Sequence, residues 1–337
     1  MKFLPRISAI ILLLGATLLY GCSVLVDEDL SDCGGEISII YQLRLITNMQ
    51  TELETVLCDK SDEYVKEALQ QNLEGIFSDI GRDVDLAFYS PEGDMPRKIH
   101  IKEVFNANQA RYVVYFPERE YMHTCVANME GNGPVALRDT LHCNSSRLML
   151  DTSQGEVPNQ QTGIYTARNH ILIGEEDNQT IYTYLYMANC ATALVLDTGN
   201  AGEIGPVEVA TNGFADRFDI VDSTYLYNSK YIVQPRQLPV EQGSEQCFLS
   251  VNFPSRDVAP TKAWGDDFIW QWRVRVPIAD GTITETVLGV KEPLMAGQLK
   301  IIKAKVYDTG VVSVTDPLVG VSVTIDWHTG DEHEIEF

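Results

Sequence analysis

The sequence is poor in positive charge. Its 337 residues include 25 lysines and arginines against 48 aspartates and glutamates, so the formal net charge at pH 7 is -23. A field of this sign repels the phosphates of nucleic acids and the headgroups of anionic lipids. We therefore expect no nucleic-acid partner.

The sequence also lacks the short motifs of common catalytic and cofactor sites. It contains no G-x-S-x-G elbow, no H-E-x-x-H pair, no phosphate-binding loop and no dinucleotide fingerprint. We therefore expect no enzymatic activity and no cofactor. The best candidates for metal ligands are His123, Cys125, His142 and Cys143, whose residue types suit zinc. Because the adjacent His142 and Cys143 would point to opposite faces of a strand, the pattern argues against a metal site.

Long apolar runs are scarce, and the clearest one stands near the start of the chain. Residues 7–19 follow Lys2 and Arg6 and form an apolar run of about 13 residues, shorter than the ~20 of a membrane span. The run ends in LYGC at 19–22, which resembles the lipobox of bacterial lipoproteins. That resemblance implies cleavage between Gly21 and Cys22, with a diacylglycerol on the Cys22 thiol and an acyl chain on its amine. The alternative is an ordinary signal peptide cut nearby, with Cys22 a plain thiol.

This leader suggests a division of the chain into four parts. We expect a signal peptide at 1–21, an acidic tether at 22–33, an N-terminal domain at 34–170 and a C-terminal domain at 171–337. Several acyl chains on one residue exceed what stable membrane attachment requires. We therefore expect the mature protein to be lipid-anchored at the cell outer membrane, either exposed at the surface or in a fimbria.

Six cysteines remain once Cys22 is assigned to the lipid. An even number of cysteines in an exported chain permits up to three disulfides, and six cysteines allow fifteen connectivities. Short separations favour the first two of the following pairs, and the third is what remains: Cys33–Cys58, Cys125–Cys143 and Cys190–Cys247. The sequence alone does not establish any of them.

One stretch of the N-terminal part has the periodicity of a helix. Ser61 is placed to cap it, and Gly81 is a plausible stop. Its apolar stripe consists of Val65, Leu69, Leu73, Ile76 and Phe77. We expect this stripe to cover one face of a sheet.

Elsewhere the apolar residues alternate with polar ones, which predicts strands. The clearest examples are EISIIYQLRLIT at 36–47, VDLAFY at 84–89, RYVVYF at 111–116, WQWRVRV at 270–276 and VSVTIDWH at 321–328. The region 131–161 is rich in turn residues and predicts long loops. Many strands with one helix indicate an all-β protein with two antiparallel β-sandwich domains.

Four stretches of the sequence together resemble the fimbrial anchor and accessory-subunit lipoproteins of Bacteroidetes type V pili. They are the lipobox cysteine followed by DLSDC at 29–33, VDLAFYSPEGDM at 84–95, PEREYMHTCVANMEG at 117–131 and VGVSVTIDWHTG at 319–330. The helical insertion and the number of cysteines depart from the family pattern. They leave open a divergent accessory subunit or a stand-alone surface lipoprotein.

The resemblance implies two tandem transthyretin-like β-sandwich domains. The helix predicted from its apolar stripe is then an insertion in the N-terminal domain. It also implies assembly with other fimbrial subunits by β-strand exchange, in which a donated strand fills an open groove. In such subunits, cleavage after an arginine in the first strand opens the groove, and Arg44 lies in the first predicted strand here. Cleavage would give a shaft or tip subunit, whereas an intact Arg44 would give a membrane anchor, which we favour.

A second hypothesis is a surface lipoprotein that binds glycan or protein through exposed aromatic residues. The candidates are Trp264, Trp270 and the tyrosines of YTYLYM at 182–187. Because alternation places Trp270 and Trp272 on one apolar face, we expect these two side chains to lie in the core. Trp264 stands in a polar stretch and is the better candidate for exposure.

Overall fold

The computed structural model describes residues 35–44, 48–77, 83–103, 111–174, 179–257 and 268–326. Within these ranges, neither α-helix is long and apolar enough to span a membrane. The two helices are α1 Met49–Val56 and α2 Glu63–Phe77. The strands, in chain order, are β1 Gly35–Arg44, β2 Val84–Tyr89, β3 Arg97–Glu103, β4 Arg111–Phe116, β5 Glu120–Ala127, β6 Val135–Arg138, β7 Arg147–Leu150, β8 Glu156–Pro158, β9 Tyr165–Leu172, β10 Gln179–Met187, β11 Cys190–Asp197, β12 Glu208–Asn212, β13 Arg217–Asp219, β14 Thr224–Leu226, β15 Ile232–Gln234, β16 Arg236–Leu238, β17 Glu245–Asn252, β18 Trp270–Pro277, β19 Ile283–Val290, β20 Leu299–Val306, β21 Val312–Val314 and β22 Val319–Asp326.

These strands form four sheets. The first sheet has the order β3-β2-β5-β9-β10-β1-β4, the second β16-β17-β11-β20-β21, the third β22-β19-β18-β12-β15-β8 and the fourth β14-β13-β7-β6. Most pairs are antiparallel, but β1 runs parallel to β10, β11 to β20 and β8 to β15. The predicted all-β fold with a helical insertion in the N-terminal half is therefore confirmed, with these parallel pairs added.

Two apolar cores lie on either side of the second sheet. The first core joins the inner face of the first sheet, both helices and one face of the second sheet. The second core joins the other face of the second sheet to the third and fourth sheets. Strand β11 is buried along nearly its whole length for this reason, from Cys190 to Leu196. Its run of apolar residues, rather than an alternation, is what burial on both faces requires.

The predicted apolar stripe of α2 packs into the first core, as expected. Val65 and Leu69 are buried completely, and Leu73, Ile76 and Phe77 almost completely. The start of this segment differs from the prediction. Ser61 lies inside a short 3-10 helix, Lys60–Asp62, and Asp59 and Asp62 form the capping box there, so Ser61 does not cap α2. The predicted stop, Gly81, lies outside the described residues.

Polar contacts join residues 48–62, which include α1, to the second sheet. The buried carboxylate of Asp62 accepts two hydrogen bonds of 2.8 Å from Lys303 Nζ on β20. Asn48 and Glu52 accept hydrogen bonds from the backbone amides of Leu299 and Ile301. The residues of α1 thereby satisfy backbone groups along an edge of β20 that would otherwise need another strand.

The region 131–161, predicted as long loops, contains three short strands and a 3-10 turn. β6 and β7 pair with each other, and β7 pairs with β13 in the fourth sheet. β8 pairs with β15 in the third sheet. These strands were missed because each has only three or four residues, too few for a visible period. The predicted domain boundary at residue 170 stays a prediction.

Candidate assembly surfaces

The first strand is inserted between two other strands of the first sheet. It runs parallel to β10, with Arg44 opposite Tyr186, and antiparallel to β4, with Gly35 opposite Phe116. The predicted alternation of apolar and polar side chains is confirmed here, because Ile37 and Ile39 point into the first core and are 1% and 0% exposed. β4 is the last strand at this edge, and β1 is its neighbour in the described sheet. The first strand thus holds the edge of the sheet together.

Arg44, the predicted processing residue, is the last residue of β1. Its backbone is in register with Tyr186, and the next described residue is Asn48. A cut after Arg44 would therefore separate β1 from the rest of the chain at the end of the strand, without dividing any other described element. Cys22 and Gly21, the predicted lipidation and cleavage residues, lie outside the described residues, as does Cys33.

The last described strand, β22, lies at the edge of its sheet, whereas β1 lies between two strands. It lies at the outer position of the third sheet and pairs with β19. Its apolar side chains share a face with Thr286 and Leu288 of β19, which are fully buried, yet Val321, Val323 and Ile325 are 43%, 40% and 43% exposed. The sequence predicts this alternation but not the exposure, which follows from the position of the strand at the sheet edge. Together these three side chains form an apolar row beside a strand edge that no other described strand covers.

A third surface consists of aromatic and apolar side chains on the outer face of the first sheet. In β10, Thr183 and Leu185 point into the core, so Tyr182, Tyr184 and Tyr186 point outward. On the same face, β4 contributes Val113 and Tyr115 across β1. Four of these side chains are about half or more exposed: Val113, Tyr115, Tyr182 and Tyr186. We call these four residues, with Tyr184, the tyrosine face.

The tyrosine face was predicted in part. YTYLYM was a candidate platform, and the exposure of Tyr182 and Tyr186 agrees with that hypothesis. Val113 and Tyr115 were missed, although they alternate with buried neighbours in RYVVYF, because the sequence does not tell which face of an edge strand is covered.

Trp270 and Trp272 are buried in the second core, as expected, and are excluded as an exposed platform. The indole Nε1 of Trp270 donates to the Glu292 carbonyl at 2.8 Å, and that of Trp272 donates to Thr192 Oγ1 at 3.2 Å. Trp264 lies outside the described residues.

Two of the predicted cysteine pairs, Cys125–Cys143 and Cys190–Cys247, are wrong. Cys125, Cys143, Cys190 and Cys247 are free thiols and all four are buried. Cys125 faces the first core, whereas Cys143 packs with Ala87 and Tyr89 on the opposite face of the first sheet. A disulfide cannot pass through a sheet, because its two Cα atoms must lie within about 7 Å of each other.

The second pair fails for two reasons. Cys190 faces the second core and Cys247 the first, on opposite sides of the second sheet. In the register of that sheet, Cys247 is opposite Val195, five residues along the strand from Cys190, which amounts to about 16 Å. Cys58 is exposed, and its proposed partner Cys33 lies outside the described residues, so the Cys33–Cys58 pair stays a prediction.

Burial disfavours the charged forms of the buried thiols and of the nearby histidine. It raises the pKa of Cys143 to about 11 and that of Cys247 to about 12. His123 stacks on Phe88 with ring centroids 4.2 Å apart, and burial lowers its pKa to about 4. His123 and Cys125 share the inner face of the first sheet, whereas Cys143 lies on the outer face. The residues considered as zinc ligands are therefore not brought together.

The comparisons with known proteins bear on the fold. No protein-family model matches the sequence, and neither does any curated protein. Solved structures do match. A candidate adhesin from Bacteroides thetaiotaomicron is 11% identical with a TM-score of 0.51, and the alignment covers 86% of this chain and 99% of that one.

Two further solved structures match over a similar share of both chains and with similar TM-scores. A candidate polysaccharide-binding protein from Bacteroides thetaiotaomicron is 8% identical, with a TM-score of 0.52 and coverage of 89% and 99%. A candidate cell adhesion protein from Bacteroides eggerthii is 9% identical, with a TM-score of 0.51 and coverage of 89% and 97%. The chain thus shares its fold with these Bacteroides proteins, as the resemblance to Bacteroidetes fimbrial lipoproteins implies.

Proposed function

We propose that this protein is a lipid-anchored subunit of a type V-like fimbria, which attaches and assembles the fimbria at the outer membrane and contributes to adhesion. The observation that carries the proposal is the seating of β1 between β10 and β4, with a candidate processing residue at its end. The fold shared with candidate adhesins supports the same role. The proposal includes no enzymatic activity.

The first strand supplies a groove that another strand can fill. If β1 leaves the sheet, β10 and β4 each lose a hydrogen-bonded neighbour, and the pockets of Ile37 and Ile39 open toward solvent. A strand from another subunit with the same alternation restores both the backbone hydrogen bonds and the core contacts. With β1 in place, the groove is closed, which suits an anchor that ends a chain of subunits.

The edge strand β22 supplies the complementary surface. Within the described ranges no strand pairs with its outer edge, and it carries the apolar row Val321, Val323 and Ile325; these are the two features that strand addition needs. Fully burying a valine or isoleucine is worth about 1.5–3 kcal/mol, so covering the exposed two-fifths of three such side chains contributes about 2–4 kcal/mol. Backbone pairing adds to this, and together they favour a partner subunit.

Lipidation of Cys22 and cleavage after Arg44 are both tested on the mature protein. The producing cells are fractionated, and the N-terminus of the protein is determined by mass spectrometry. A membrane-bound chain that begins at an acylated Cys22 supports the anchor, and Cys22→Ser should then release the protein from the membrane. A chain that begins at Leu45 would refute the anchor and identify a polymerising subunit.

The role of β22 is tested by one charge on the apolar row. Val323→Lys places an ammonium group where a partner strand would bury a valine, so we expect loss of incorporation into fimbriae with the fold retained. Ser322→Lys is the matched control, because it adds the same charge to the other face of the same strand. Equal incorporation of the two variants would contradict assembly through this row.

The tyrosine face favours a second candidate function, in which the protein binds a glycan or another protein at the cell surface. Aromatic rings present large apolar area at a small entropic cost, and four exposed side chains on one face exceed the isolated apolar residues of an ordinary surface. Binding to a glycan array that survives Trp264→Ala but is lost in a Tyr182→Ser, Tyr186→Ser variant would support this function. Loss in Trp264→Ala alone would move the binding site elsewhere.

A further inference from the structure

The backbone groups of β22 have a defined direction. Just beyond β19, the Lys291 amide donates to the Leu318 carbonyl at 3.0 Å, so these two residues form a hydrogen-bonded pair of the ladder between β19 and β22. Because hydrogen-bonded pairs alternate with non-hydrogen-bonded pairs along an antiparallel ladder, residues 320, 322, 324 and 326 bond to β19. The Val319 amide agrees with this alternation, since it donates to the Asp316 carbonyl at 3.1 Å and not to β19. The three residues of the apolar row therefore direct their backbone groups away from β19.

The apolar row thus leaves two kinds of group uncovered on the same three residues. Their side chains are 43%, 40% and 43% exposed, and within the described ranges no strand pairs with their outward backbone groups. Beside the row lies the second core, to which Leu288 and Val319 belong, and β21, the outer strand of the second sheet, contacts β22. An occupant that satisfies both needs is an extended segment with apolar side chains at every second residue.

The residues that follow β22 in the sequence have this pattern. They read WHTGDEHEIEF at 327–337 and lie outside the described residues. Ile335 and Phe337 alternate with Glu334 and Glu336, which is typical of a strand with one apolar and one charged face. The segment is also continuous with β22, so pairing between them needs only a tight turn and no second molecule.

The backbone direction and the turn geometry select one register for this pairing. Residue 327 continues the outward alternation of the apolar row, so it can close a hairpin on the outer edge of β22, whereas residue 328 cannot. A loop of three residues, 328–330, then pairs residue 327 with residue 331. In such loops the third residue takes the left-handed conformation that glycine adopts most readily, and the third residue here is Gly330.

The side-chain pattern selects the same register independently. With the loop at 328–330, Ile335 stands opposite Val323, so an apolar residue meets the apolar row. A loop that also starts at residue 328 but is one residue shorter places Glu334 opposite Val323, and one that is one residue longer places Glu336 there. A single register therefore meets the requirements of the ladder, the turn and the core, and such agreement indicates a specific pairing.

We propose that residues 331–337 fold back as a strand on the outer edge of β22 and cover the apolar row of their own molecule. Ile335 then packs beside Val323 and Phe337 beside Val321, which extends the second core. Three charged residues lie on the opposite face of this strand: Glu332, Glu334 and Glu336. Charges on an edge strand oppose the addition of a further strand, so this segment also ends the sheet.

The segment competes with the partner strand assigned to β22 above, and this part of the inference rests on the proposed function. A strand joined to β22 by a short loop acts at an effective concentration of about 1 mM. A partner subunit at micromolar concentration therefore displaces it only if its own strand pairs better with β22. The segment thereby keeps subunits from pairing with one another before they reach the fimbria.

The test is amide hydrogen exchange of the purified protein, followed residue by residue by NMR. The amides of Val321, Val323 and Ile325 point away from β19, so only a further strand protects them. We expect each of them to exchange at least about tenfold more slowly than in a variant that ends at residue 330, at every protein concentration. The amides of Ser322 and Thr324 bond to β19 and should stay protected in both proteins, which shows that β22 remains folded.

Two single substitutions test the register. Ile335→Ser removes the side chain that covers Val323, so the protection of the outward amides should fall by about tenfold or more. Glu334→Ser is the matched control, because it changes the neighbouring residue on the opposite face of the same strand. We expect it to change the protection by no more than about twofold, as for an ordinary surface substitution.

Three results would overturn the proposal. The first is equal exchange of the outward amides in the wild-type protein and in the variant that ends at residue 330. The second is protection that rises with protein concentration, which would assign the edge to a second copy of the chain. The third is an equal loss of protection in Ile335→Ser and Glu334→Ser, which would exclude the register.

The competition with a partner strand is measured separately, as incorporation into fimbriae. We expect the variant that ends at residue 330 to be incorporated faster than the wild-type protein, because no segment has to be displaced. Equal or slower incorporation would refute the competition and leave the exchange result standing. Equal incorporation of Val323→Lys and Ser322→Lys would instead refute the proposed docking of a partner on β22, so the two failures are distinguishable.

Discussion

The sharpest test of the first strand is the substitution Ile39→Ala. Ile39 is fully buried and lies between Ile181 of β10 and Tyr112 of β4. Truncating a buried isoleucine to alanine removes its transfer free energy and leaves a cavity, and costs about 2–5 kcal/mol. Because β4 reaches the sheet through β1, this loss should loosen β1 and β4 together before the rest of the protein unfolds.

Hydrogen exchange followed by mass spectrometry measures this effect strand by strand. A loss of about 3 kcal/mol corresponds to roughly a hundredfold faster exchange of the β4 amides, since each ~1.4 kcal/mol is a factor of ten. The amides of β2 and β5 should change much less. Ile40→Ala is the control, because Ile40 points to the outer face of the same strand and is only half-buried.

An equal increase of the amide exchange rates in all strands of the sheet would refute this reasoning. If Ile39→Ala lowers the global stability but accelerates exchange equally in β4, β2 and β5, then β1 unfolds only with the whole sheet. It would then not be a separable strand, and the groove argued for strand exchange would not open without global unfolding. Unchanged exchange in β4 would exclude the proposed dependence of β4 on β1.

Three further predictions concern buried polar groups. His123 has a folded-state pKa of about 4, below the ordinary 6.5, so the unfolded state takes up the proton at a higher pH than the folded state. The free energy of unfolding should therefore fall by up to about 3 kcal/mol as the pH drops from about 6.5 to 4. Urea titrations of His123→Phe should show less of this loss. Cys125, Cys143, Cys190 and Cys247 should not react with a thiol reagent at pH 8 before unfolding, since all four are buried and Cys247 has a pKa of about 12; fewer than four reactive thiols among them after denaturation without reductant would reinstate a disulfide between two of them. Asp62→Ala should cost about 1–3 kcal/mol in chemical denaturation, because Asp62 is buried against Lys303, which keeps partial access to water; a loss below about 0.5 kcal/mol would contradict a stabilising role for this contact.

The elements with a clear period were predictable from the sequence. Trp270 and Trp272 alternate with polar residues, and their burial follows from that alternation alone. The stripe from Val65 to Phe77 likewise identifies α2 and its buried face. α1 was missed because its eight residues give only two turns, and its position depends on contacts with β20 that lie 250 residues away.

The pairing of distant strands could not be predicted in the same way. The parallel alignment of β1 with β10 joins segments about 140 residues apart, and no local pattern encodes it. The proposed disulfides failed for a related reason. Sequence separation says nothing of which face of a sheet a cysteine occupies, and Cys125 and Cys143 lie on opposite faces.

The parallel setting of β1 has a mechanical consequence. A pull on the chain before Gly35, along the strand axis, acts across the hydrogen bonds that join β1 to its neighbours, which are perpendicular to the axis toward β4 and slanted toward β10. Eight register pairs with β10 and six with β4 would then share the load at once rather than open one after another. In a protein tethered at that end, the strand that must stay in place is thus held in shear, the loading direction in which a strand is hardest to withdraw.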